Sequence, residues 1–190
     1  KHLRDEKEKV FEAVRPIDVR HVVRGQYEGY RSEPGVAADS QTETMVAVRA
    51  EVDNWRWHGV PFFLRSGKAM GVSRQIIVLG FQPPPMRMFP AHRKDTPYGR
   101  QNEIVIDFAD PGAIKVYFLT KVPGAELSLG NAEMAFHYKD SFAASHMLEG
   151  YERLLLDAML GDQTLFTRRD EVALQAAMIV VPSEVCYAPK

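Results

Sequence analysis

The stretch from Thr42 to Val52, TETMVAVRAEV, alternates in character along its whole length. In an extended chain, Thr44, Val46, Val48, Ala50 and Val52 share one face, while Glu43, Arg49 and Glu51 point to the other. A strand with one apolar and one charged side belongs to an antiparallel sheet that is covered on one face only. Val19 to Tyr27, Val60 to Leu64, Gln75 to Phe81, Glu103 to Phe108, Ala113 to Leu119 and Met134 to Tyr138 read as further strands, and Asp110-Pro111-Gly112 reads as the turn between two of them. Two polar or proline-rich stretches interrupt the series. GYRSEPGVAADSQT reads as a loop, and QPPPMRMFPAHRKDTPYGR, with its five prolines, reads as a long irregular connection.

The two ends of the chain change period. Lys1 to Val14 reads as a helix with Asp5 and Glu6 near its N-terminal end and Pro16 as its stop. In GYERLLLDAMLGD, Tyr151, Leu154, Leu155, Ala158 and Met159 recur at helical spacing, and Gly161 follows as the stop. Arg168 to Val180 reads as a second helix there. A block of strands flanked by helices predicts an α+β fold, with all 190 residues in a single domain.

Composition narrows the function. The net charge of -1 supplies no field for nucleic acid or an anionic membrane, and no apolar run reaches a membrane span. Cys186, the lone cysteine, excludes an internal disulfide and fits a cytoplasmic protein. The chain begins at Lys1 within a helix-like stretch, which suggests a segment of a longer protein. There is no G-x-G-x-x-G, so no dinucleotide fold announces itself. Gly67-Lys68 lacks both the upstream glycine and the hydroxyl residue of a phosphate loop. His146 and Glu149 have a metal-site spacing but no partners, so no metal is expected. In NWRWH, Trp55 and Trp57 would share a face of an extended segment, either as core or interface or as a stacking platform.

Lys68 is the strongest local site residue. It follows a strand, sits beside Gly67 in FFLRSGKAM, and offers three donors to a phosphate or a hydroxyl. Gly67 would leave room for a ligand to approach the backbone. Read from its neighbours alone, Lys68 is first of all a solvated surface charge.

Longer motifs decide between these readings. RGQYEGYRSEPGVAADSQTET, NWRWHGVPFFLRSGKAM and GYERLLLDAMLGDQTLFTRRDEV resemble the C-terminal domain of glucose-6-phosphate dehydrogenase, and RDEKEKV, NEIVIDF and TKVPG match in the same order. The resemblance covers essentially the whole chain. It implies an NADP-dependent oxidoreductase of the pentose phosphate pathway that oxidises glucose 6-phosphate at C1 to 6-phosphogluconolactone. It also implies an N-terminal Rossmann domain that binds most of the NADP, and a C-terminal α+β domain built on a large, mostly antiparallel sheet through which the enzyme self-associates. The cofactor fingerprint, the phosphate-binding segment and the general base of the family precede the region matched here, so the isolated chain is expected to be inactive, with no catalytic residue of its own.

On this resemblance Lys68 is a substrate contact. The family's second basic residue, five positions on, is Ser73 here, with Arg74 beside it. Either Arg74 makes the second contact after a one-residue shift, which is the reading preferred, or the contact is lost. Some members hold a further, structural NADP. Arg65 and Arg74 could match two of its basic residues, but Asp107 and Val78 stand where others are needed, and the chain ends in CYAPK without the family's glycine-tryptophan segment. No structural NADP is therefore expected. Two alternatives remain: a free-standing, non-catalytic sugar-phosphate-binding relative, and a purely structural oligomerisation module.

Overall fold

The computed structural model describes residues 2–83, 85–86, 102–109, 112–127, 129–142, 150–169 and 171–173. They fall into two compact units, one of residues 1–71 with 148–190 and one of residues 72–147.

The first unit holds helix α1 (His2–Glu12), strands β1 (Val22–Gly25), β2 (Met45–Glu51) and β3 (Pro61–Gly67), and the second-last described segment, which contains helix α3 (Gly150–Leu160). The three strands form an antiparallel sheet in the order β1-β2-β3. β2 is its centre, with Val48 opposite Val22 on one side and Leu64 on the other. The alternating stretch is therefore the central strand, and Ala50, Val52 and Val22 are buried. This core is small because the residues that reach it are small.

α1 ends earlier than Pro16 would require. Val14 is captured in a β-bridge with Val52, and Arg15 N–H donates to the Glu51 carbonyl at 2.9 Å. Sheet pairing takes the chain before proline has to stop the helix. The β-like stretch at Val19 also begins differently. Val19–His21 is a 3-10 turn, because the Asp18 carboxylate accepts the Arg20 N–H at 2.9 Å.

α3 ends at Gly161, as its sequence predicts. Gly161 has φ 72°, its N–H donates to the Ala158 carbonyl, and the Asp162 N–H donates to the Asp157 carbonyl. That pair of bonds is a Schellman cap. The apolar stripe of this helix is not inside: Tyr151 is 83% and Met159 85% exposed, whereas Asp157 is 1% exposed. The Asp157 carboxylate takes the Arg153 Nε at 2.9 Å. The helix thus turns an ion-paired carboxylate inward and leaves its apolar residues uncovered among the described residues. Of the helix expected from Arg168, only residues 169 and 171–173 are described, and they are helical.

The second unit holds β4 (Ile76–Gly80), β5 (Glu103–Asp107), β6 (Ala113–Lys121), β7 (Leu129–His137) and the single turn α2 (Tyr138–Ser141). Its strands form an antiparallel sheet in sequence order. β7 begins five residues before Met134, because the β6–β7 ladder runs from Ala113 and His137 to Lys121 and Leu129. Gly112, at φ 76°, leads into β6, while Asp110 and Pro111 of the expected turn lie outside the described residues. Phe136, Tyr138 and Phe142 form an aromatic cluster with centroid separations of 5.0–6.4 Å.

The α+β class and the antiparallel pairing agree with the sequence reading. Among the described residues, the strands are shared between sheets of three and four strands. Among the described residues, no helix is long and apolar enough to cross a membrane.

Candidate functional site

The segment around Lys68 is built by the β2–β3 ladder. β3 runs in register against β2 from Pro61 opposite Glu51 to Gly67 opposite Met45. The next backbone donor, the Lys68 N–H, still reaches the Thr44 carbonyl at 2.8 Å. Thr44 is itself tied to β1, since its N–H donates to the Gly25 carbonyl at 2.9 Å and its hydroxyl oxygen accepts the Tyr27 N–H at 2.9 Å. Lys68 thus leaves the sheet from a point fixed through all three strands. Ala69 follows with φ 51°, in the left-handed region that non-glycine residues rarely occupy.

The reason for Gly67 differs from the one its position suggests. A Cβ there would lie 3.0 Å from Met45 Cγ and 3.0 Å from Met70 Sδ. Two methionines, not an approaching ligand, take the space beside this backbone. The Lys68 side chain is exposed and has no hydrogen-bond or ion-pair partner among the described residues. A lysine on a fixed backbone with its three donors unspent can bind an anion or a hydroxylated ligand.

Arg74 and Ser73 are exposed, just before β4. They belong to the second unit and Lys68 to the first. Arg65 is exposed on β3. Asp107 stands opposite Ile76 and Val78 opposite Val105, and the Asp107 carboxylate accepts the Ala109 N–H at 3.0 Å. His146, Glu149 and Cys186 lie outside the described residues. Among the described residues, no group of three or more His, Cys, Asp or Glu is placed to hold a metal.

The two tryptophans do not share a face. The segment is a turn rather than a strand: Asn54 Oδ1 accepts the N–H groups of Arg56 and Trp57, and the His58 N–H donates to the Asn54 carbonyl. Trp57 is half-buried and packs edge-on against Phe62 at 5.5 Å, with the Arg56 guanidinium 5.6 Å from its ring centre. Trp55 is 92% exposed.

Sequence reasoning passed over the group next to this turn. Asp53 accepts from His58 Nδ1 at 2.8 Å and from Arg15 at 3.0 Å. The His58 hydrogen bond, then that from Arg15, holds the Asp53 carboxyl below the usual aspartate range. These residues bind the end of β2 to the segment after α1, and their separation along the chain gave no local signal. An open cavity of about 620 Å³ is lined by Arg4, Thr167, Arg168, Arg169 and Ala173. Asp5 and Glu8 pair with Arg168 there, and Glu171 is buried nearby, so its cations are offset by as many carboxylates.

Comparison with known proteins extends this geometry. The family model described as glucose-6-phosphate dehydrogenase, C-terminal domain, matches residues 1–181. Glucose-6-phosphate 1-dehydrogenase 5, cytoplasmic, of Arabidopsis thaliana is 41% identical over 171 residues, covering 90% of this chain and 32% of the relative. Glucose-6-phosphate 1-dehydrogenase of Dickeya dadantii is 37% identical over 186 residues, covering 90% and 37%. A solved glucose-6-phosphate dehydrogenase in complex with its substrate glucose-6-phosphate superposes with a TM-score of 0.80 at 33% identity, covering 93% of this chain and 36% of that one. The chain spans about a third of the length of the relatives it matches.

Proposed function

The chain belongs to the glucose-6-phosphate dehydrogenase C-terminal domain family, and we propose that it works as the substrate-contacting and self-associating part of an NADP-dependent glucose-6-phosphate dehydrogenase in the cytoplasm. The observation that carries this reading is Lys68. It stands at the end of an ordered ladder, held by Thr44, with an exposed and unpartnered ammonium among the described residues.

In the proposed reaction, glucose 6-phosphate loses a hydride from C1 and a proton from the C1 hydroxyl. NADP, when bound, supplies the hydride acceptor. The part of Lys68 is to bind and orient: a charged hydrogen bond to the sugar holds it where the transfer takes place. Arg74 is the proposed second basic contact. No residue of this chain is assigned to the base. Neither is any assigned to a nucleotide: Asp107 puts a carboxylate at the end of β5, where a nucleotide phosphate would be repelled.

Self-association has its own support. β4 is an edge strand among the described residues, and Ile76, Ile77, Val78 and Leu79 are all exposed on it. Consecutive residues face opposite sides of a strand, so both faces of this edge carry uncovered apolar surface. A second copy of the chain would bury it.

The test is Lys68→Ala in the full-length dehydrogenase. A charged hydrogen bond is worth roughly 1.5–3 kcal/mol, so kcat/KM for glucose 6-phosphate should fall about 10- to 150-fold, with KM for NADP nearly unchanged. Wild-type kinetics in this variant would return Lys68 to a solvated surface charge.

A further inference from the structure

Met45 lies between two glycines. It pairs with Gly25 of β1 on one side and Gly67 of β3 on the other. Its side chain spreads over both: Cε is 3.8 Å from where a Cβ on Gly25 would stand, and Cγ is 3.0 Å from where one on Gly67 would stand. Directly opposed residues project to the same face of a sheet. The missing side chains of both neighbours are therefore filled by one thioether. Beyond Gly67 in the chain, the left-handed turn at Ala69 is followed by Met70, whose Sδ lies 3.0 Å from the same Cβ position.

We propose that Met45 and Met70 form a steric seat for Gly67 that sets where the Lys68 turn stands, which makes Gly67, Met45 and Met70 positioning residues for the sugar. The inference rests on the reading of Lys68 as a substrate contact. Three constraints meet at adjacent residues: the methionines against Gly67, the Thr44 carbonyl on the Lys68 N–H, and the left-handed Ala69. The backbone of Lys68 cannot move along the strand without losing the Thr44 bond. Gly67 cannot shift toward the face of its missing Cβ without meeting a methionine. A four-carbon side chain on a seat of this kind loses less of its reach to backbone motion, and small misplacements of a substrate contact are costly in rate. An added methyl at Gly67 would push the turn away from Met45. The Met45 atoms nearest to it are Cγ and Cβ, close to the backbone, and cannot swing aside as the end of a side chain can.

The experiment compares four variants of the full-length dehydrogenase: Lys68→Ala, Gly67→Ala, Met70→Ala, and Gly67→Ala combined with Met45→Ala. Gly67→Ala should raise KM for glucose 6-phosphate about tenfold while leaving KM for NADP and the melting temperature nearly unchanged. Met45→Ala in the same chain should recover about threefold or more of that loss, because it removes the Cγ that the new methyl meets. Met70→Ala opens the seat without crowding it and should raise the same KM about 2- to 5-fold. If Lys68→Ala is impaired but Gly67→Ala and Met70→Ala match the wild type, the seat is refuted while the Lys68 reading stands. If Lys68→Ala itself matches the wild type, both fail. A Gly67→Ala loss that spreads to the NADP KM and the melting temperature, with no recovery from Met45→Ala, also refutes the seat. If Gly67→Ala does not fold, Met70→Ala decides: an unchanged KM overturns the proposal.

Discussion

The guanidinium of Arg168 donates to the Asp5 carboxylate at 2.9 Å, joining residues 163 positions apart. Its other nitrogen reaches Glu8 at 3.4 Å, one helical turn along α1. Lys7 donates to the Thr164 carbonyl at 3.1 Å, and Arg4 donates to Gln163. Polar contacts thus fix α1 to the segment after α3.

Arg168→Ala should therefore lower stability more than most surface substitutions. Arg168, Asp5 and Glu8 are all partly exposed, so solvent screening limits the loss to about 1–2 kcal/mol. A double-mutant cycle with Asp5→Ala, read by urea denaturation, should show coupling between the two sites. Additive losses would mean that the pair contributes nothing of its own.

Asp18 predicts a change in the acid limb. Its carboxyl is lowered from 3.8 to about 2, chiefly by the side-chain hydrogen bond from Arg20 and then by the Arg20 backbone N–H. A folded pKa below the unfolded one means that the ion pair stabilises the fold fully above the unfolded value and is lost as pH falls through the folded value. The advantage of wild type over Asp18→Asn should shrink between about pH 4 and pH 2. Urea midpoints for the two proteins, followed across that range, check it; a constant difference would remove Asp18 from the acid limb.

The turn at Asn54 separates its two tryptophans energetically. Trp57 packs on Phe62, so Trp57→Ala should cost about 1–3 kcal/mol. Trp55, at 92% exposure, makes almost no contact with the chain. Trp55→Ala should leave the denaturation midpoint unchanged and remove most of the iodide-quenchable fluorescence. A large destabilisation by Trp55→Ala would contradict this placement.

What the sequence reveals depends on how local the cause is. Thr42 to Val52 declares its strand because alternation is written into consecutive residues, and Gly161 declares a helix end because a left-handed cap favours glycine. The end of α1 was hidden, since Val14 leaves the helix to meet Val52, a residue far along the chain. Gly67 shows the same limit. Its position beside Lys68 is legible, but the reason for it lies in Met45, on the neighbouring strand. NWRWH alternates like a strand, yet Asn54 can accept from the N–H groups two and three residues on, and this competing turn won. The long motifs marked Lys68 as a candidate contact; its support by Thr44 needed the ladder.

Arg74 provides the last prediction. It is exposed and has no hydrogen-bond or ion-pair partner among the described residues, and the family resemblance puts it one position beyond the second basic residue. Removing it should therefore cost the fold almost nothing. If it supplies the second charged contact to glucose 6-phosphate, Arg74→Ala in the full-length dehydrogenase should lower kcat/KM about 5- to 50-fold, somewhat less than Lys68→Ala because a loop places it. Moving the charge separates the residue from its position. Ser73→Arg combined with Arg74→Ala puts the guanidinium back on the family's position, and this pair should recover most of the lost kcat/KM. Recovery would show that the contact tolerates a shift of one residue along the loop. Loss without recovery would mean that Arg74 has its own geometry here. Wild-type kinetics in Arg74→Ala would leave Lys68 as the only proposed basic contact in this chain, with Ser73 marking a contact that the protein does without.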